Sequence, residues 1–96
     1  MAMTDADKAA FTMAITDKGA AAELIALIAT GTAGAISDQL ERKIAIMIPH
    51  KGAAASLVAA LESGTALSDK AIRMLSNAVG SKLLGANLAT EINALS

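Results

Sequence analysis

The chain has no cysteine, no tryptophan and no tyrosine, and only one phenylalanine and one proline. Without thiols, no disulfide can staple it and no thiolate can hold a metal. With Phe11 as its single aromatic, base stacking, aromatic cages and tryptophan hot spots are largely closed to it. Neither charge sign dominates: eight Lys and Arg stand against nine Asp and Glu, for a net charge of −1. A binder of nucleic acid or of an anionic membrane needs a basic excess, so neither partner is expected. A long hydrophobic run is also missing. The longest uncharged stretch lies between Glu23 and Asp38, too short to span a bilayer and broken by Gly31 and Gly34. The opening segment, Met1 to Lys8, is acidic and polar, unlike a secretory signal. The expectation is a soluble protein made in the cytosol.

What the chain has in quantity is alanine and aliphatic residues. Apolar residues make up 54% of it. Ninety-six residues make one domain, 1–96, with a modest core. Alanine adds little buried area, so a domain of this composition leans on neighbours for stability.

The most informative feature is a sentence written three times. An apolar residue, a hydroxyl residue and an aspartate recur as Met3-Thr4-Asp5, Ile36-Ser37-Asp38 and Leu67-Ser68-Asp69. Each is followed, at fixed spacing, by a lysine (Lys18, Lys51, Lys82), an alanine (Ala22, Ala55, Ala86), a leucine (Leu24, Leu57, Leu88) and a large aliphatic (Ile28, Leu61, Ile92). Thr4 and Ser37 are 33 residues apart, and Ser37 and Ser68 are 31 apart. A period of this size marks a stacked helical unit.

Within a unit, Thr4, Ser37 and Ser68 read as N-caps followed by an aspartate at the positive end of the helix dipole. A full capping box is not expected, since Leu40 and Ala71 stand at its second position and only Asp7 is acidic there. Apolar residues then fall on one helix face: Phe11, Ala14, Ile15; Ile44, Met47, Ile48; Leu75, Ala78, Val79. One turn earlier that face carries Asp7, Leu40 and Ala71. A polar residue in the first copy is expected of a terminal repeat with nothing packed outside it. The helix stops at Thr16, Pro49 and Gly80, which are register equivalents. Asp17, His50 and Ser81 then cap a second helix with its stripe at Ala21, Leu24, Ile25, Ile28, and so on in each copy. Small residues at Ala21, Ala54 and Gly85 allow close helix approach. Gly31 and Gly64 terminate second helices. The reading is all-α: three tandem antiparallel helical hairpins, six short helices at about 4–31, 37–64 and 68–96, forming a small bundle or a short solenoid.

Isolated reactive residues are explained by this architecture. His50 is a cap, because its equivalents are Asp17 and Ser81. Asp5 and Asp7 are helix-start carboxylates rather than part of a cation loop, which needs more oxygen ligands and a glycine turn. Gly31-Thr32-Ala33-Gly34 lacks the lysine and hydroxyl of a phosphate loop. Met13, Met47 and Met74 read as core filling. No catalytic, cofactor or metal residue is assigned. The candidate protein interface is Lys18, Lys51 and Lys82, set against the dipole in the first turn of each second helix, together with Leu27 and Ala60. Those two lie off the main stripe, where the second helices carry apolar residues on more than one side. The plainer reading of the lysines is inheritance through duplication, each long stem covering the apolar end of its hairpin.

The last repeat, with Leu67-Ser68-Asp69, Ala71, Leu75, Ala78, Lys82, Ala86 and Ile92-Asn93, resembles the alanine-rich helical repeats of small virion proteins from tailed bacteriophages. The resemblance covers nearly the whole chain. It implies a non-enzymatic structural component of a virion, such as a capsid decoration, head-fibre or connector-associated protein. Such a protein is made in the bacterial host cytoplasm and present in many copies. It binds itself or a larger assembly. The alternative is a small cytosolic adaptor or regulator that binds a peptide between hairpins.

Overall fold

The hydroxyl and acidic caps do the work their spacing implies. In a computed structural model that describes residues 3–96, the helices are α1 (Asp5–Ile15), α2 (Lys18–Thr30), α3 (Asp38–Met47), α4 (Lys51–Ser63), α5 (Asp69–Val79) and α6 (Lys82–Asn93). No strand occurs among the described residues. Met1 and Ala2 lie outside them. Thr4, Ser37 and Ser68 each accept a hydrogen bond from the third backbone N–H of their helix, and so do Asp17, His50 and Ser81. A six-helix, all-α bundle is the result. One expectation is corrected: α1 does carry a complete capping box, because Asp7 accepts from the Thr4 N–H while Thr4 accepts from that of Asp7.

The three first helices end at equivalent places by different chemistry. Gly80 adopts a left-handed φ of 72°, which costs glycine nothing. Thr16 adopts nearly the same conformation, φ 58°, where a β-branched side chain is disfavoured. In the second copy the stop falls one residue earlier, on Ile48 with φ −118°. A residue before proline is pushed out of the helical region, so Pro49 acts through its neighbour.

The hairpins close on themselves. Helix α2 packs on α3, α4 packs on α5, and α6 packs back on α1. The third contact repeats the first two and turns a would-be solenoid into a ring, about as tall as it is wide at 28 × 26 × 24 Å. The end of the chain fastens it. Asn93 Oδ1 accepts from the Leu67 N–H at 2.8 Å, and the Ser96 carbonyl accepts from the Ala33 N–H at 3.1 Å. Both linkers between hairpins are thereby held by the third. Leu24, Ile28, Leu57, Leu61, Leu88 and Ile92 are all buried, with Phe11, Leu40, Ile44, Ile48 and Leu75 opposite them. Met47 and Met74 pack partly against this core, but Met13 is 78% exposed. As a register equivalent of Ile46, itself 69% exposed, Met13 points outward, and its reading as core is withdrawn.

Closure also corrects the reading of Asp7. This side chain is 1% exposed, because α6 covers the face that a terminal repeat would leave to water. It lies against Glu91, 3% exposed.

Candidate functional site: open surfaces on a closed ring

The surface chemistry follows from how tightly each hairpin is drawn together. Of the three hairpins, the one formed by α5 and α6 makes the most extensive contact and the one formed by α3 and α4 the least. A Cβ built on Gly85 would stand 2.6 Å from Ser76 Cα and 2.7 Å from its Cβ, so α6 comes within backbone reach of α5. The same two positions in the second hairpin hold Ala54 and Ala45. A methyl on Ala54 then stands where Gly85 has only a hydrogen, and the helices part. The gap is an open groove of about 740 Å³ along α3 and α4. Ala45, Ile48, Ala54, Ala55, Val58 and Ala59 line it. Glu41 and Glu62 lie at one end, His50 and Lys51 at the other.

A second apolar surface lies on α1. Ala6, Ala9, Ala10, Met13 and Ala14 face outward beside Ala78, Val79 and Leu84, around a shallow depression of about 520 Å³. Leu83, 72% exposed, follows on α6. Met13, Leu83 and Ile46 are the large apolar side chains that water reaches most among the described residues.

Lys18, Lys51 and Lys82 are the first residues of α2, α4 and α6, and all three are exposed. Only Lys51 borders the groove. Leu27 is half-buried and packs on the core. Ala60 is 0% exposed, so it offers no surface to a partner; the apolar character around α4 that suggested one is satisfied by α5 at that position and by the groove on the other side. His50 is a cap, its Nδ1 accepting from the Ala53 N–H at 3.1 Å. Asp5 is exposed while Asp7 points inward, so the two do not converge.

Two features were missed in the sequence. The first is a set of hydrogen bonds that fasten each repeat to the next. Glu23 accepts from the Ser37 N–H at 2.7 Å and from its hydroxyl. Ser56, its register equivalent, accepts from the Ser68 N–H at 2.9 Å. At the closing junction the same N–H, on Thr4, is taken by Asp7. A polar residue one position before each stripe leucine was the available signal.

The second is the buried pair Asp7 and Glu91. Asp7 Oδ1 and Glu91 Oε2 are both buried without a hydrogen-bond partner. Burial first, and then the charge of Asp7, push the Glu91 carboxyl above the usual glutamate range. Register explains what is unusual here. Asp7 is equivalent to Leu40 and Ala71, and Glu91 to Leu27 and Ala60. Two junctions of the ring carry apolar residues at the places where the third carries two carboxyls. Asp17 behaves oppositely. The Ala20 N–H, then the Gln39 amide at 2.8 Å, hold its carboxyl below the usual value, and Lys43 stands 4.0 Å away.

The fold thus defines a class: a six-helix ring of three hairpins with apolar surface left open on α1 and between α3 and α4. No family, no characterised protein and no solved structure matches the chain. No helix among the described residues is long and apolar enough to cross a membrane.

Proposed function

We propose that this protein is a non-enzymatic structural component that packs against copies of itself and of a larger assembly. The observation that carries the reading is apolar surface left over after closure. Helix α6 packs back on α1, so the described residues leave no open end at which a further hairpin could stack. Met13, Ile46 and Leu83 nevertheless remain exposed, and an alanine-walled groove stays open on the second hairpin. Apolar surface of this kind on a small domain marks a place for protein contact. Without aromatic anchors, such contact depends on close fit over a broad area rather than on one deep hot spot. The assembly that the repeat's resemblance suggests is a bacteriophage virion, with the protein as a capsid decoration, head-fibre or connector-associated component. Sedimentation of the isolated protein is expected to show a mass above one chain that grows with concentration. Electron microscopy of the native particle is expected to show many symmetric copies.

The groove itself supports a second reading, that of an adaptor holding a peptide. A dispersed monomer that binds one peptide segment, with no tendency to grow, would favour it.

A further inference from the structure

We infer that the groove between α3 and α4 receives helix α1 of a second copy, so that the protein associates head to tail. The inference rests on the self-association reading and names its two surfaces. The groove is walled by Ala45, Ala54, Ala55, Val58 and Ala59, small enough to admit a helix flank rather than a lone side chain. Its two ends differ in charge, Glu41 and Glu62 against Lys51. An occupant that fits must be apolar along its length, negative where it meets Lys51 and positive where it meets the glutamates.

The outer face of α1 has that pattern. Ala6, Ala9, Ala10 and Met13 run along it. Asp5, exposed, opens the helix, and Lys18, exposed, stands just beyond its end. With α1 laid parallel to α4, Asp5 meets Lys51 and Lys18 meets Glu41 and Glu62. The lengths are close: α1 extends about 16 Å and the stretch of α4 from Lys51 to Glu62 about 18 Å, at about 1.5 Å per residue. Met13 then enters the middle of the groove, where an unbranched, adaptable side chain fills irregular space well.

The other first helices are excluded by the same register. Where α1 has Ala6, Ala9 and Ala10, α3 has Gln39, Arg42 and Lys43, and α5 has Lys70, Arg73 and Met74. Entry of either would strip water from two cationic side chains against alanines. Charge on this face is therefore compatible with the fold, and α1 alone lacks it. The groove is equally particular. The third hairpin keeps only a smaller hollow of about 340 Å³ at its turn, because Gly85 lets α6 close on Ser76. Each copy then presents the α1 face and the α3–α4 groove, which are two different surfaces. Two different surfaces meeting head to tail form a heterologous contact, which continues into a filament or closes into a ring of subunits.

The test uses the full chain and two variants at exposed positions, Met13→Glu and Ala55→Glu. The parent is expected to grow in mass with concentration by light scattering. Each variant is expected to keep the parent's helical circular dichroism and melting temperature, and to associate at least about tenfold more weakly. Mixed in equal amounts, they are expected to form pairs that do not grow. The intact α1 of the Ala55→Glu chain fills the intact groove of the Met13→Glu chain, and the two spoiled surfaces cap the pair. Variants that assemble as well as the parent, or a mixture that stays monomeric while the parent associates, would overturn this docking while leaving self-association standing. A parent that is monomeric throughout would overturn both, and would leave the groove to a segment of another protein.

Discussion

Helices α5 and α6 meet where Gly85 crosses Ser76. Helices α3 and α4, with Ala54 and Ala45 at those positions, stand apart and leave a groove. The two hairpins share a serine cap on the first helix, a buried leucine at Leu57 or Leu88 and a buried aliphatic at Leu61 or Ile92, and differ besides in the turn, at Pro49 or Gly80. The difference teaches that hairpin register and hairpin closure are set separately. The stripes fix which faces meet. A single Cβ at the crossing fixes how near they come, and so whether the outside of the hairpin is sealed or available.

The largest effect that sharpens this comparison comes from truncating the two equivalent leucines. Leu57 and Leu88 are 1% and 0% exposed, and such truncations cost about 2–5 kcal/mol, less where the surroundings can settle into the space. The open side of α4 gives it room to shift, whereas α6 is locked on α5. Leu88→Ala is therefore expected near the upper end and Leu57→Ala lower, measured by urea denaturation. Equal losses would mean that the groove gives α4 no freedom.

A smaller effect is expected at the crossing itself. Gly85→Ala places a methyl against Ser76 Cα, which cannot turn aside. Overpacking of this kind costs about 1–3 kcal/mol, partly offset by alanine's helix propensity, better by about 1 kcal/mol. The variant should lose stability and open the third hairpin. Ala54→Gly, the reverse change, should lose about 1 kcal/mol of helix propensity without that strain. A Gly85→Ala protein as stable as the parent would show that the close approach is incidental.

The expected architecture rested on signals that are local and repeated three times, and for that reason it was legible. Caps at Thr4, Ser37 and Ser68, stops at Thr16, Pro49 and Gly80, and the stripe through Leu24, Leu57 and Leu88 all act within one helix or one turn. Closure was not legible, because it depends on the small rotation between successive hairpins, which no single position encodes. Asp7 shows the consequence. On a helical wheel it marks an exposed terminal face; in the ring it is covered by α6. The groove was half legible. The apolar breadth of α4 pointed to a partner, but Ala60 fell on the side taken by α5, while Ala55 and Val58 fell on the open side. The lysines were singled out by position; Lys51 stands at the groove's end, and Lys18 is used only in the proposed docking.

The closing junction extends the comparison to the pH axis. Glu91 is raised above its ordinary value of 4.5 by burial and by Asp7. A carboxyl raised in the folded state favours folding fully below its unfolded value, and that contribution is lost as pH rises through the folded one. The parent should thus lose melting temperature from mildly acidic toward neutral pH. Glu91→Gln should flatten that decline, since the amide keeps the shape and carries no charge. The apolar counterparts, Leu27 and Ala60, have nothing to titrate, so the α2–α3 and α4–α5 junctions should show no such dependence in hydrogen exchange. A decline unchanged by Glu91→Gln would place its origin outside this pair.

The smallest expected effect separates the turns of the first and third hairpins, and it has the opposite sign. Asp17 is held below its ordinary 3.8, chiefly by the Ala20 N–H and then by Gln39. A carboxylate lowered in the folded state contributes stability above its unfolded value and loses it as pH falls through the folded one. Water reaches this turn and screens the charge, so the loss should be slight and confined to strongly acidic solution. Ser81, the equivalent cap, has no charge to lose in that range. Asp17→Ser makes the two turns alike: it keeps a hydroxyl acceptor for the Ala20 N–H and removes the titration. Its melting temperature should fall less than the parent's below about pH 4, and the hold that Gln39 and Lys43 of α3 have on this turn should loosen at every pH. An acid decline identical in parent and Asp17→Ser would mean that the cap's hydrogen bond, not its charge, is what holds the first turn.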